Sequence, residues 1–213
     1  MQVTKFTHSC VRFDDGDRSL VVDPGVFSEV SAALDGAGAV LITHEHFDHI
    51  DVDQLRAAAQ RDSRLRIWAP EPVATALGDL GEQVLTAAPG EAFDAAGFAI
   101  RTFGGQHALI HPTIPVVPNV GYLIEGSVYH PGDSLIVPPV PVGVLLAPLH
   151  APWSSTGEVI DFVVSVRAPR TVGIHDALLT DIGRGLVESH VGRIGGEHGC
   201  EYTHLAPADT LDV

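Results

Sequence analysis

Basic residues are scarce in this chain of 213 residues. Twelve Lys and Arg stand against 27 Asp and Glu, for a formal net charge of −15 at pH 7. A protein that grips a phosphate backbone carries a basic face, so nucleic acid is excluded as the main partner, and an anionic membrane surface with it. Long apolar runs are missing as well. The best candidate, residues 136–149, is interrupted by four prolines, and nothing reaches the roughly 18 apolar residues of a membrane-spanning helix. No membrane partner is therefore expected. The opening stretch, "MQVTKFTHSCVRF", lacks the basic-then-apolar layout of an export signal, which makes the cytoplasm the expected compartment. Cysteine is nearly absent: Cys10 and Cys200 are far apart, and in that compartment both read as reduced and structural, which excludes a disulfide scaffold.

What remains is an ordinary globular composition, 45% hydrophobic and 18% charged, long enough to bury its own core as one domain over residues 1–213. No repeat, linker or low-complexity tail divides it. Short β-type runs dominate the first half: "QVTKFTH", "CVRF", "SLVVD", "AVLIT" and "RIWAP", each closed by Asp/Gly or Pro/Gly breaks. Helices are expected over 51–60, with Asp51 as N-cap and Gln54 completing a capping box, and over "EPVATALGDL", with Pro72 in its first turn. The middle returns to strands, "EAFDA", "FAIRTFGG" and a hairpin in "YLIEGSVYH". Then come "VGVLLAPLH", a helix at about 156–166, the strand "TVGIH" and a short helix near 177–188. Strand clusters interleaved with helices in both halves predict an α/β protein of two sheets flanked by helices.

Histidine is the residue in excess, twelve in all. Three of them fall in "THEHFDH", residues 43–49, in the loop between a buried-type strand and a helix, where layered α/β folds place functional groups. The spacing His44-x-His46-x-Asp48-His49 lets a tight loop present two imidazoles one way, and a carboxylate and third imidazole the other. That layout suits two neighbouring divalent ions. Two ions need more ligands than these, and later strand ends supply them: His107 after "FAIRTFGG", Asp133 in "YHPGD" and His175 closing "TVGIH".

This series resembles the five-motif pattern of the metallo-β-lactamase fold superfamily over nearly the whole chain. "THSCVRF", "VVDPG" and "YHPGDS" are similar to its branch of small metal-dependent hydrolases, which includes the ascorbate-6-phosphate lactonase. The resemblance implies an αββα four-layer sandwich of two mixed β-sheets with a dinuclear site at one edge. It implies a first metal held by His44, His46 and His107, a second by Asp48, His49 and His175, and Asp133 bridging both. The chain lacks much of the lactonase's length and has "PLHAPWSSTGE" where that enzyme is glycine-rich, so its substrate is not carried over. Zinc fits the ligand set best, with manganese or iron as alternatives. A pair of such ions lowers the pKa of water from 15.7 towards about 7, so the expected activity is hydrolysis of a small ester, lactone or phosphoester, with Asp48 and Asp133 catalytic. The alternatives are an iron-dependent oxidoreductase of the same fold and a non-catalytic metal-binding module. Asp23 is a candidate for orienting a ligand imidazole, and His8 for lying near the metals. His111, Tyr122, His150 and Trp153 are candidates for the pocket of a small-molecule substrate. The oligomeric state is left open.

Overall fold

The computed structural model describes residues 1–213. The first half runs β1 (Gln2–Lys5), β2 (Val11–Asp15), β3 (Arg18–Val22), the one-turn α1 (Val30–Ala33), β4 (Ala39–Leu41), α2 (Val52–Arg61), β5 (Arg66–Ala69), α3 (Glu71–Ala76), a 3-10 segment (Gly78–Gln83) and β6 (Val84–Thr86). The second runs β7 (Ala92–Ala95), β8 (Phe98–Gly104), β9 (Val120–Ile124), β10 (Val128–His130), β11 (Val144–Pro148), α4 (Thr156–Val166), β12 (Arg170–Ile174), α5 (Asp181–Glu197), β13 (Glu201–Thr203) and β14 (Thr210–Asp212).

Two seven-stranded sheets result, in the orders β14-β1-β2-β3-β4-β5-β6 and β13-β12-β11-β10-β9-β8-β7. Each begins as an antiparallel meander and continues as parallel strands, from β3 in one and from β10 in the other. Tight turns close the meanders: Gly16 (φ 63°) joins β2 to β3, and Glu125 and Gly126 (φ 52° and 62°) make the expected hairpin between β9 and β10. Parallel strands are buried on both faces and read as continuous apolar runs, as "VLLAP" in β11 does.

Three apolar clusters define four layers. The largest joins the two sheets through residues such as Phe13, Leu41, Phe98, Tyr122 and Ile174. A second packs α1, α2 and α3 on the first sheet through Ile42, Leu55 and Val73. A third packs α4 and α5 on the other through Leu145, Phe162 and Val191. The fold is the expected sandwich of two mixed sheets flanked by helices. In α2, Asp51 caps the Gln54 N–H, but the Gln54 side chain returns to the Asp51 carboxylate rather than to its backbone. A full capping box opens α4 instead, between Ser155 and Glu158.

The last helix departs from expectation. It spans Asp181–Glu197, not 177–188, because three glycines, Gly192, Gly195 and Gly196, weaken the helical signal of its second half. The three-residue strands β6, β13 and β14 carry too little pattern of their own and are fixed by their neighbours. At one edge the sheets are hydrogen-bonded together. Val120 N–H donates to Thr43 O, Tyr122 Oη–H to Ile42 O, and His175 N–H to His8 O. Lys5 Nζ, fully buried, lies 3.0 Å from Asp176 beside them.

Candidate metal centre

The expected metal ligands, with His8 and Asp23, lie on that edge. After β4 the chain must turn sharply into the histidine loop, and Asp23 provides the anchor. It sits just past β3 in the left-handed region (φ 51°). Its Oδ1 accepts the Thr43 N–H at 2.8 Å, and its Oδ2 accepts the Thr43 hydroxyl at 2.7 Å and His49 Nδ1–H at 2.6 Å. Gly25 passes beneath the loop so closely that a Cβ there would lie 1.9 Å from the Asp48 carbonyl oxygen. From the second sheet, β8 delivers His107, β10 delivers Asp133, and β12 delivers His175. Gly132 (φ 63°) turns the chain before Asp133, where a Cβ would strike Asn119 and Thr43. Asn119 Oδ1 then accepts the Asp133 N–H at 3.0 Å. His8, Asp23 and His175 are all non-glycine residues at positive φ; backbone strain of this kind clusters at functional sites.

The donors converge in two groups, each with its ligand-type atoms within 4.8 Å of one another: His44, His46, His107 and Asp133, and His8, Asp48, His49 and His175. Asp133 faces both. Its Oδ1 is 3.0 Å from His49 Nε2, and its Oδ2 is 3.3 Å from His107 Nε2 and 3.2 Å from His175 Nε2. Despite these approaches the rings and carboxylate are not aligned to bond. His49 Nε2, His107 Nε2, His175 Nε2 and Asp133 Oδ1 are all buried without a hydrogen-bond partner, which a folded protein rarely tolerates without a reason.

The opposite ring nitrogens supply that reason. His49 Nδ1–H donates to Asp23, His107 Nδ1–H to Ala108 O at 2.6 Å, and His175 Nδ1–H to His150 O at 2.6 Å. Each bond commits Nδ1 as the donor and so leaves Nε2 as the ring nitrogen that a cation could take. The Thr43 hydroxyl, its proton engaged by Asp23, accepts from His44 Nδ1–H at 3.0 Å, so His44 Nε2 is bare too, and it lies 3.0 Å from His46 Nδ1. Lone pairs of imidazole and carboxylate aimed at common points are the donor set of a divalent cation, and the residues fit one in each group. His8 is the exception. Its Nδ1 accepts the Ala177 N–H at 3.3 Å, so its Nε2 carries the proton and donates to Asp48 Oδ2 at 3.2 Å.

Without a cation the electrostatics are tightly coupled. Burial pushes the His44 ring well below its usual range, helped by the neighbouring His49. Burial pushes His49 the same way, but Asp133 and Asp23 on either side override it and hold the ring well above. Burial would raise the Asp48 carboxyl, yet the His8 hydrogen bond and the His49 and His175 rings hold it at about 2. Asp133 is likewise held well below the usual range against its burial, chiefly by His49 and His175.

A cavity of ≈320 Å³ opens on this cluster. Trp153 lines it and donates Nε1–H to Asp133 Oδ2 at 2.9 Å, with its ring edge-on to His107. His150 contributes its carbonyl to His175, and its side chain does not reach the cavity. That corrects its expected place in the pocket, and two further pocket expectations are corrected with it. Tyr122 is buried on β9, whose residues are covered on both faces, and its hydroxyl is bonded to Ile42 O in the core. His111 is exposed and turned to Thr113. The remaining walls, Phe27, Phe47, Ile110, Pro152 and Leu178, come from loops where single apolar residues leave no periodic signal. Of these, Phe47 lies inside the histidine motif, and Ile110 and Pro152 lie in the stretches around His111 and Trp153 expected to shape the pocket; Phe27 and Leu178 had no cue. Thr43 and Asn119, which hold the ligand loops, were also missed.

Comparison with known proteins identifies the fold family. The model of the beta-lactamase superfamily domain matches residues 2–175. Protein Rv0786c of Mycobacterium tuberculosis is 38% identical over 191 residues, covering 87% of this chain and 89% of its own. A UPF0173 metal-dependent hydrolase of Xanthobacter autotrophicus is 27% identical over 172 residues, covering 71% and 68%. Among solved structures, Igni18, a metallo hydrolase from the archaeon Ignicoccus hospitalis, superposes with a TM-score of 0.75 at 19% identity, over 99% of this chain and 97% of its own.

Proposed function

The chain belongs to the metallo-β-lactamase fold superfamily, and from that premise we propose that it is a metal-dependent hydrolase with a dinuclear centre, acting on a small ester, lactone or phosphoester. His44, His46 and His107 would hold one cation, Asp48, His49 and His175 the other, and Asp133 would serve both. Zinc suits this mixture of imidazole and carboxylate. When bound, such a pair supplies Lewis acidity and brings the pKa of water towards about 7.

The chain's own residues do the rest. Asp23, Ala108 O and His150 O fix three imidazoles in the tautomer that offers Nε2. Trp153 engages Asp133 Oδ2 and leaves Oδ1 bare. Asp48 lines the cavity as a carboxylate steadied by His8, placed to accept a hydrogen bond from an attacking water and to orient it. The aromatic and aliphatic walls limit bulk water around the scissile bond.

The observation that carries this reading is the set of buried, partnerless Nε2 atoms grouped around Asp133. Elemental analysis of purified protein should find about two equivalents of divalent metal, and the loaded protein should hydrolyse members of a panel of esters, lactones and phosphodiesters. Asp133→Ala should lose both metal and turnover, whereas His111→Ala, on the exposed loop, should keep them. Full activity in Asp133→Ala would overturn the assignment.

A further inference from the structure

The cavity that opens on the metal centre has a composition that constrains what enters it. Its apolar walls are Phe27, Phe47, Ile110, Pro152, Trp153 and Leu178, and its other lining residues, His46, Asp48, His107, Asp133 and His175, all belong to the converging donor cluster. No Lys, Arg, Ser, Thr, Asn or Gln lines it. The one polar side-chain atom on these walls, Trp153 Nε1, is already engaged by Asp133. The buried cation on that edge, Lys5, is held by Asp176. A charged or hydroxyl-rich substituent entering this space would lose its water and find no partner, which strongly disfavours burial. The volume of ≈320 Å³ is at the lower end of the ~300–1,000 Å³ typical of ligand sites.

Resting on the hydrolase reading above, we infer that the substrate is a compact carboxylic ester or lactone whose body is uncharged and apolar, aryl or short alkyl, and that sugar phosphates, nucleotides and substrates with a distal ionic group are rejected. Water adds its oxygen to the acyl carbon and the acyl C–O bond breaks. The alcohol or phenol leaves with one proton of that water, and the other goes to solvent as the acid ionises. The walls contribute by preferring the apolar body, and the donor cluster does not discriminate among bodies.

A matched pair of esters tests this on the metal-loaded protein. Phenyl hexanoate and monophenyl adipate share a scissile bond and chain length, and differ in a distal carboxylate. The neutral ester should be preferred in kcat/KM by at least about 100-fold, and lengthening the acyl group from acetate to butyrate should raise kcat/KM about fourfold per methylene. Leu178→Arg, at a half-exposed wall position, should narrow the preference at least tenfold. A binding readout is independent of turnover. Trp153 fluorescence should report an alkyl phenyl ketone binding at least tenfold tighter than its distal-carboxylate analogue. Equal kcat/KM for the two esters, or a ratio unchanged by Leu178→Arg, would overturn the inference and leave the hydrolase reading intact. No turnover of any panel ester by metal-loaded protein that still shows the tenfold binding preference would overturn the hydrolase reading and not the cavity's selectivity.

Discussion

Replacing Asp23 with asparagine keeps the side chain's shape and removes its ability to accept on both oxygens. In the native protein three donors converge on it: Thr43 N–H on Oδ1, and Thr43 Oγ1–H and His49 Nδ1–H on Oδ2. An asparagine with its NH2 at the Oδ1 position meets the Thr43 N–H, which cannot rotate away. With its NH2 at the Oδ2 position it meets His49 Nδ1–H. One buried donor is then left facing another, costing about 1–3 kcal/mol, or a fall of roughly 2–12 °C in Tm for a chain of this size. The second arrangement has an escape. His49 can move its proton to Nε2 and accept from the amide, but this removes the lone pair facing Asp133. Metal affinity should therefore drop 10–100-fold, equivalent to about 1.4–2.8 kcal/mol. Chelator competition measures the affinity, and thermal unfolding with and without metal separates the two losses. An Asp23→Asn protein that folds and binds metal within threefold of the wild type would refute the tautomer argument.

Three further outcomes follow from the same geometry. Trp153→Phe keeps a ring in the wall but removes the donor to Asp133 Oδ2; kcat/KM should fall about tenfold with metal content preserved, since a charge-assisted bond is worth roughly 1.5–3 kcal/mol. Gly25→Ala would set a Cβ 1.9 Å from the Asp48 carbonyl oxygen; overpacking of that severity should cost ~3 kcal/mol or more and lower Tm by at least ~6 °C. Metal binding at pH 7 should release about one proton, because Asp133 and Asp23 keep the His49 ring charged in the metal-free chain and a cation displaces that proton. Affinity should then weaken from pH 8 to pH 6. Calorimetry in buffers of different ionisation enthalpy would show no dependence on buffer if the ring were already neutral. In the metal-free protein the raised His49 contributes stability fully present below its unfolded value near 6.5 and lost as pH rises through its higher folded value.

Much of the centre was legible because its residues are compressed in sequence or tied to strand ends. "THEHFDH" follows β4, and His107, Asp133 and His175 each follow a strand that apolar runs announce. The strong capping signals of α2 and α4 likewise placed those helices to within a residue. What stayed hidden depends on tertiary approach. The extent of α5 was masked by glycines that lower intrinsic helicity. Tyr122 sits in a run that looked available to a loop-lined pocket, yet β9 is covered by both neighbouring layers. The cavity walls are isolated apolar residues drawn from five loops, and no local pattern distinguishes Phe27 or Leu178 from any other exposed hydrophobe. Nor could spacing reveal that His8 carries its proton on the opposite nitrogen from its neighbours, since a single backbone N–H at Ala177 decides it.

The hydrogen bonds that stitch the two sheets along the site edge have a consequence for how a cation is captured. Val120 to Thr43, Tyr122 to Ile42 and His175 to His8 hold the contributing loops in register with protein atoms alone. The donor cage is thus shaped by protein atoms, and a cation entering the proposed centre would fill it rather than fold it, unlike small domains that assemble only around their ion. Little ordering entropy would then offset the coordination energy, and an ion held there would touch both layers as a cross-brace, so its removal should loosen the edge without dissolving the sandwich.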